Sequence, residues 1–227
     1  MQISIIIPAL NEAAEITRTL ASLQHLRTRS AEIIVVDGGS HDDTVALAQP
    51  LADLVICAGL GRAQQMNAGG RCASGGILLF LHADTRLPED AHRLIVAGLA
   101  ESDRGWGRFD VRLSGRHPLL RVVEFLMNWR SRLSGIATGD QTLFVRRDWF
   151  VKIGGFPDLP LMEDIALSRL LKKQGRPLCL HARVTSSSRR WERAGIVRTI
   201  LLMWYLRLAY TLGADPRRLA AKYYKLQ

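Results

Sequence analysis

The sequence contains few cysteines, no low-complexity tract and no pattern typical of a signal peptide. Its three cysteines, Cys57, Cys72 and Cys179, are too few and too scattered for a disulfide framework or a zinc site. Because their neighbours are apolar, we predict that all three are buried free thiols. Residues 1–8 lead directly into a strand pattern, which is not how a signal peptide begins. We therefore expect a cytoplasmic protein.

Long apolar stretches are also lacking, and the most apolar segment, residues 196–212, is interrupted by arginine. Its longest uncharged run is the eight residues 199–206, whereas a membrane-spanning helix needs about 20 residues. Arg198 and Arg207 lie nine positions apart, so they fall on opposite sides of a helix and do not form the single polar face of an interfacial helix. Three interpretations remain open: a helix packed on the domain, a dimer contact, or a shallow membrane anchor.

Positive charge is in excess, and most of the excess lies at the C-terminal end. The formal net charge is +10 at pH 7; residues 185–227 contain nine Lys and Arg against two acids, a surplus of seven, which leaves three for residues 1–184. Such a tail suits an anionic lipid, a phosphorylated substrate or a nucleic acid, with a merely solvated surface as the competing explanation. We accordingly distinguish a domain of residues 1–184 from a basic helical extension of residues 185–227.

Strand and helix patterns alternate along the first hundred residues. This order predicts an α/β fold with a mostly parallel central sheet, right-handed crossovers and flanking helices. The predicted strands are 3–7, 33–36, 54–57, 77–81, 107–113, 142–145 and 178–184. The clearest predicted helices are 62–72, 119–133 and 161–174, of which 119–133 is amphipathic.

Polar side chains follow the predicted parallel strands at the points where these strands end. They are Asn11 and Glu12, then Asp37, then His82 and Asp84. Because the carboxyl ends of parallel strands meet at one edge of the sheet, where such sheets bind ligands, we expect these groups to lie close together. Gathered carboxylates repel one another, so they need a cation or a ligand that donates hydrogen bonds.

Several of these polar residues also have a simple structural explanation. Asp84 can hold a divalent cation that carries a diphosphate, or it can cap a helix that begins near Pro88. Asn11 is expected to cap the first helix, with Glu12 in its first turn. Asp164 can act in catalysis, or it can simply favour the first turn of a helix through its charge.

Five short motifs in a fixed order make the chain resemble the family-2 glycosyltransferases, which are nucleotide-sugar enzymes of the GT-A fold. The motifs are I-I-I-P-A-L-N-E, V-V-D-G-G-S-H-D-D-T, the strand ending H-A-D, then G-D-Q and M-E-D. Each motif is weak alone, but the ordered set covers most of the chain. Within the family, the sequence looks similar to transferases found beside radical-SAM and selenium-domain proteins, some of them linked to arsenosugar formation.

The resemblance implies a role for each matching residue. Asp164 would be the general base, and Asp84, the last residue of a D-x-D motif, would bind Mn²⁺ or Mg²⁺. The donor nucleotide would lie against Pro8, Ala9, Asn11, Glu12, Asp37, Ser40, Arg62, Asn67, His82 and Ala83. The sugar and the acceptor would lie against Gly139, Asp140, Gln141 and Glu163. Arg189 and Arg190 would neutralise the departing diphosphate, or they would simply belong to a basic surface.

Two positions depart from the family pattern. His82 replaces the first Asp of D-x-D, and imidazole suits manganese better than magnesium. Ser187 stands where processive members carry Gln, so we predict an enzyme that is not processive. The implied reaction is inverting, metal-dependent transfer of a sugar from a nucleoside-diphosphate donor, with a UDP-sugar expected, to an acceptor hydroxyl.

Two other functions fit parts of the sequence. A sugar-phosphate nucleotidyltransferase shares the broad fold but carries a G-x-G-T-R loop after its first strand, where this chain has P-A-L-N-E. A basic protein that binds nucleic acid or membrane through its tail, without catalysis, leaves the gathered acids unexplained. We therefore expect a nucleoside-diphosphate sugar as partner and no nucleic acid. A homodimer and peripheral contact with the inner face of the membrane both stay open, and the acceptor is unidentified.

Overall fold

The computed structural model describes residues 1–29 and 31–225, which form one eight-stranded sheet flanked by helices. The strands are β1 Ile3–Ala9, β2 Glu32–Asp37, β3 Leu54–Cys57, β4 Ile77–Phe80, β5 Thr85–Arg86, β6 Trp106–Leu113, β7 Leu143–Arg146 and β8 Leu178–Ser186. The helices are α1 Ala13–Arg27, α2 Thr44–Ala48, α3 Arg62–Cys72, α4 Ala91–Ala100, α5 Pro118–Ser134, α6 Arg147–Lys152, α7 Glu163–Lys172, α8 Arg189–Ala194, α9 Ile196–Thr211 and α10 Pro216–Tyr224.

The sheet is parallel in its first half and mixed in its second half. The strand order is β3-β2-β1-β4-β7-β6-β8-β5. The pairs β1–β2, β1–β4 and β2–β3 are parallel, as the alternation of strands and helices predicted. Strand β7 enters antiparallel to both β4 and β6. The apolar pattern could not show this reversal, because a strand has the same residue period in either direction.

Strand β4 lies at the centre of the sheet and is buried on both faces. Its four residues are at most 3% exposed. Ile77 and Leu79 enter the core formed with α1 and α4, whereas Leu78 and Phe80 enter the core formed with α3 and α6. Full burial of one such side chain contributes about 1.5–3 kcal/mol. The strand is therefore a rigid support for the polar residues that follow it.

The start of α1 differs from the prediction, because Asn11 does not cap it. Asn11 has a φ of 53°, and Glu12 occupies the N-cap position. Backbone N–H groups at the helix start donate instead to the loop after β2. The N–H of Ala13 donates to Asp42 Oδ2 at 3.1 Å, and that of Glu12 donates to Thr44 Oγ1 at 2.8 Å. The loop after β2 is thus tied to the end of β1.

Helix α4 settles one of the alternatives for Asp84. The helix begins at Ala91, and Asp90 occupies its N-cap position. The interpretation of Asp84 as the cap of this helix is therefore wrong, since Asp84 lies before the short strand β5, which itself precedes the cap residue. Asp84 remains at the carboxyl end of β4.

The prediction of buried thiols is also wrong. Cys57 and Cys72 are exposed, and Cys179 is half-buried. Cys57 is the last residue of β3, which lies at the edge of the sheet, and Cys72 is the last residue of α3. Apolar neighbours in sequence do not bury a residue at such positions, because burial there depends on elements packed from outside.

The C-terminal helices pack beside the start of α7. Leu206 of α9 is fully buried against Met162 and Ile165, together with Leu219 and Tyr223 of α10. The predicted boundary between the domain and the basic extension, at residues 184 and 185, falls inside strand β8, which ends at Ser186. The division into these two parts stays a prediction. In the described part of the chain, every helix is too short or too polar to cross a bilayer.

Candidate active site

Two carboxylates from different strand ends lie on either side of one arginine. Arg189 Nη2 is 3.7 Å from Glu12 Oε2 and 3.8 Å from Asp84 Oδ2, and Arg189 Nη1 is 3.4 Å from Glu15 Oε1. Burial raises the pKa of Glu12, the Asp84 carboxylate raises it further, and Arg189 partly offsets both. The gathering of acids at this edge is therefore present, and a guanidinium supplies the cation that they require.

The loop after β2 is held by its own side chains. Asp37, which is 2% exposed, accepts hydrogen bonds from the backbone N–H groups of Gly39 and Ser40, both at 2.9 Å. It also accepts a hydrogen bond from the Ser40 hydroxyl, which itself accepts from the backbone N–H of Asn11 at 2.8 Å. The Asn11 side chain accepts from the N–H of His41 at 2.9 Å. The predicted nucleotide loop is thus ordered before any ligand binds.

Helix α3 contributes one residue that the sequence reasoning missed. Gln65 is buried, and its Nε2 donates to the carbonyls of Ala9 at 2.8 Å and Val36 at 2.9 Å. It therefore fastens α3 to the ends of β1 and β2. Its position one turn after Arg62 was a usable signal, because residues three apart share a helix face.

Two of the predicted contacts have side-chain amides that are already hydrogen-bonded within the protein. Asn67 donates to the carbonyl of Phe156 and accepts from its N–H, both at 2.8 Å, so its amide holds the turn before α7. Gln141 is wholly buried; its Oε1 accepts from the N–H of Thr138, and its Nε2 donates to Asn128. Both residues act as internal supports, which their motifs could not reveal.

The loop before β7 lies directly against His82. His82 Nδ1 is 3.5 Å from Asp140 Oδ1, and a Cβ on Gly139 would fall 2.4 Å from His82 Nε2. Only glycine allows this close approach of the backbone to the ring. Burial alone would raise the pKa of Asp140, but the hydrogen bond and charge of His82, with Arg190 and Arg62, lower it to about 2.

Asp164 lies in the first turn of α7 and faces the same loop. Its Oδ2 accepts a hydrogen bond from the N–H of Gly139 at 2.9 Å, and the side chain is half-exposed. Glu163 beside it is 7% exposed; burial raises the pKa of Glu163, and the Asp164 carboxylate raises it further. A chain of contacts, from Asp164 through Gly139 to His82, therefore links the start of α7 with the end of β4.

The remaining predicted residues line the edge in different ways. Pro8, Ala9 and Ala83 are buried. Arg62 is half-buried; burial would lower its pKa, but neighbouring acidic groups, led by Glu163, raise it overall. Arg190 donates to the hydroxyl of Tyr223, and its guanidinium carbon is 5.4 Å from the centroid of that ring.

Comparison with known proteins places this geometry in a family. The sequence model described as glycosyl transferase family 2 matches residues 4–153. The chain belongs to this family. It is 26% identical over 252 residues to probable glycosyltransferase YdaM of Bacillus subtilis (strain 168), an alignment that covers 100% of this chain and 59% of that protein. The chain thus spans about three fifths of that relative's length.

Solved structures show the fold of this family-2 chain. Mannosyltransferase PcManGT from Pyrobaculum calidifontis, in complex with GDP-Man and Mn²⁺, matches with a TM-score of 0.68 and 22% identity over 99% of this chain and 69% of that one. TarS 1-349 of S. aureus, in complex with UDP-GlcNAc, matches with a TM-score of 0.68 and 20% identity over 83% of this chain and 59% of that one. The expected GT-A fold is confirmed.

The carboxylate pair of this family-2 chain suits a hard divalent cation. Among residues 1–29 and 31–225, no group of three or more His, Cys, Asp and Glu side chains is arranged to hold a metal ion. Mg²⁺ and similar ions commonly take one or two protein carboxylates and complete their shell with water and phosphate. Asp84 and Glu12 offer that number of hard ligands, and the guanidinium between them shows that the position favours positive charge.

Two arginines beside Asp164 were not among the predicted site residues. Burial and, to a smaller extent, the charge of Arg207 lower the pKa of Arg130 to about 10, against the opposing effect of Asp164. Burial also lowers the pKa of Arg207, against the opposing effect of Asp164. Both arginines lie on helices outside the five motifs, on α5 and α9, so no motif could have indicated them.

Proposed function

We propose that this chain transfers a sugar, with inversion, from a nucleoside-diphosphate donor to an acceptor hydroxyl. The observation that carries the proposal is a continuous series of contacts between the acids at the strand ends and the acid at the start of α7. Glu12 and Asp84 face each other at the strand ends, and Asp164 joins them through Gly139 and His82. A cation site for a diphosphate thus lies beside an accessible base.

Asp164 is the proposed general base. Its Oδ2 is held by the N–H of Gly139, so the half-exposed carboxylate has a fixed direction. It takes the proton of the acceptor hydroxyl while that oxygen bonds to the anomeric carbon from the face opposite the diphosphate. The bond from the anomeric carbon to the diphosphate oxygen breaks with its electron pair. Base assistance of this kind is worth about 10²–10⁴ in rate.

The departing diphosphate needs positive charge. Asp84, with Glu12 beside it, would hold a Mn²⁺ or Mg²⁺ ion, which when bound neutralises charge on the leaving group. Arg189 already lies against these carboxylates, and Arg190 is fixed by Tyr223 near Asp140. Both guanidiniums are therefore proposed to bind phosphate oxygens of the leaving group.

The nucleotide is proposed to lie on the ordered loop after β2. Asp37, Ser40 and Asn11 hold this loop, and His82 and Arg62 border it, so base and ribose would meet a surface that is already formed. UDP is the proposed nucleotide; the solved relatives contain UDP-GlcNAc in one case and GDP-Man in the other. Residues 1–184 would bind the donor, and residues 185–227 would supply the arginines. The placement near radical-SAM-associated transferases and the cytoplasmic location stay predictions.

Calorimetric titration with UDP and with GDP, each with and without Mn²⁺, tests the donor site. We expect UDP binding that needs Mn²⁺ and is lost in Asp84→Ala. Asp103→Ala is the matched control, because Asp103 is an exposed acid away from the strand ends. Preference for GDP would change the proposed donor, and failure of both nucleotides to bind would remove the transferase proposal.

A further inference from the structure

Helices α5 and α9 each expose a continuous apolar stripe, and together these stripes are called the α5/α9 face. On α5 the stripe comprises Val122, Phe125, Leu126, Trp129 and Leu133. On α9 it comprises Val197, Leu201, Trp204, Tyr205 and Leu208. These side chains are between 41% and 68% exposed, and the two helices contact each other. Exposed apolar patches of this extent mark a binding surface.

Helix α5 cannot roll over to bury its apolar stripe, because its polar side is bonded to β6. Asn128 exchanges two hydrogen bonds with the backbone of Val111, at 2.8 and 3.0 Å. Arg132 Nη2 donates to Asp110 Oδ2 at 2.6 Å. The outward direction of the apolar side is therefore built into the fold, and the stripe needs an apolar neighbour from outside the chain.

The same two helices bring unpaired positive charge to the proposed base. Arg130 Nε and Nη2 are buried without a hydrogen-bond partner. The Arg207 guanidinium makes neither a hydrogen bond nor an ion pair within residues 1–29 and 31–225, although its backbone carbonyl accepts from Thr211. Leu206, next to Arg207, packs against Met162 and Ile165, which flank the acids of α7. Guanidinium nitrogens that are buried without a partner, as on Arg130, are costly, and the half-buried Arg207 adds a second positive charge, so this position calls for an anion.

We propose that the α5/α9 face contacts a membrane and that the acceptor is a hydroxyl-bearing anionic lipid whose phosphate lies between Arg130 and Arg207. The proposal rests on the transfer reaction proposed above. The head-group hydroxyl gives its proton to Asp164, its oxygen bonds to the anomeric carbon, and the nucleoside diphosphate leaves. The chains of the lipid stay in the bilayer, against the two apolar stripes.

A lipid explains more of the surface than the other occupants do. A soluble phosphate would pair with the arginines but would leave the apolar stripes in water. A second copy of the chain would cover the stripes but would bring two basic extensions together, each with a surplus of seven positive charges. An anionic bilayer complements that charge, and Trp129, Trp204 and Tyr205 are of the kinds that favour the membrane interface.

Vesicle sedimentation with the full chain tests the membrane contact. We compare phosphatidylcholine vesicles with vesicles that also contain phosphatidylglycerol, and expect roughly tenfold tighter binding to the latter. The double variant Trp129→Ser/Trp204→Ser should lose binding to both vesicles. Val151→Ser is the matched control, since Val151 on α6 is 68% exposed and lies outside the α5/α9 face.

The arginine pair is tested by Arg130→Gln/Arg207→Gln, with Arg207→Lys as the variant that keeps the charge. We expect the first to lose the preference for phosphatidylglycerol and the second to retain part of it. UDP titration of every variant reports folding and the donor site separately, so loss of vesicle binding with intact UDP binding concerns this inference alone. Binding of glycerol phosphate through the arginines without vesicle binding would overturn the membrane contact. Loss of a dimer in the tryptophan variant would instead assign the face to a second copy.

Discussion

The proposed donor side consists of the ends of β1, β2 and β4 with the loop after β2, and the proposed acceptor side consists of α5, α9 and the start of α7. The two sides differ in how completely their polar groups are hydrogen-bonded within the protein. On the donor side, Asp37 bonds to the backbone of its own loop, and Asn11 and Gln65 bond to backbone groups of neighbouring segments. On the acceptor side, Arg130 and Arg207 are half-buried; two guanidinium nitrogens of Arg130 lack a hydrogen-bond partner, and the Arg207 guanidinium makes no hydrogen bond or ion pair in the described chain. A surface whose polar groups are already hydrogen-bonded is preformed for a ligand that many enzymes share. A surface with unpaired polar groups instead needs a specific ligand that pairs with them. Under the proposed lipid acceptor, this difference places the choice of acceptor on α5 and α9.

A substitution of Asp164 tests the comparison most strongly, because it should slow the chemical step and leave nucleotide binding on the donor side unchanged. We expect Asp164→Asn to lower kcat by about 10²–10⁴, because the amide cannot take the acceptor proton. The measurement is UDP release from the donor in the presence of phosphatidylglycerol vesicles. UDP affinity should stay unchanged, as it should in the control Asp103→Asn. An equal loss of UDP affinity would show that Asp164 belongs to the donor side.

The next largest effect is expected at Asp110, which helps to hold α5 on β6. Asp110 accepts hydrogen bonds from Arg132 and from the fully buried Arg108. Asp110→Ala should lower the free energy of unfolding by about 3–5 kcal/mol, because it leaves the fully buried Arg108 and the half-buried Arg132 without their carboxylate. Urea denaturation measures this loss.

A surface ion pair provides the control for that experiment. Asp90 lies 2.8 Å from Arg93, and both side chains are exposed, at 45% and 73%. Asp90→Ala should cost only about 0–1 kcal/mol. Similar losses in the two variants would mean that Asp110 does not hold α5 on β6.

Arg189 lies on the donor side, and its removal should have two opposite effects. In the absence of nucleotide, Arg189→Gln should bind Mn²⁺ about two- to fivefold more tightly, because the guanidinium no longer competes for Glu12 and Asp84. With Mn²⁺ present, UDP should bind several-fold more weakly, because a diphosphate partner is lost. Titrations followed by the Mn²⁺ spin-resonance signal and by calorimetry measure the two effects. Arg193→Gln on the same short helix is the control, and parallel changes in both affinities would contradict the proposal.

The sequence predicts the donor side far better than the acceptor side, for a physical reason. Strand β3 and helix α3 end where their local patterns predicted, and Glu12 and Asp84 meet because parallel strands end at one edge. On α5 the period of the pattern was right, but periodicity alone cannot tell which face packs inward. That depends on distant partners, such as Val111 for Asn128. Tertiary contacts of this kind also decide which arginines are left without a partner, so the sequence pattern could not show them.

Glu163 should show the smallest effect, one that depends on pH. Burial and the Asp164 carboxylate raise the pKa of Glu163 above its ordinary value of 4.5, so the folded chain binds this proton more tightly than the unfolded chain does. The resulting stabilisation is complete below pH 4.5 and is lost as the pH rises through the folded-state pKa. Glu163→Gln has no such proton to lose.

We therefore expect Glu163→Gln to raise Tm at pH 7 by at most about 2–4 °C, the shift that 1 kcal/mol produces in a domain of this size. The advantage should shrink as the pH falls towards 4.5, and thermal melts at several pH values measure it. Glu101→Gln is the control, because Glu101 is exposed at the end of α4. A lower Tm for Glu163→Gln at pH 7, where the carboxylate is charged, would show that attraction to Arg62 outweighs burial, and the paired surface of the donor side would then extend as far as α7.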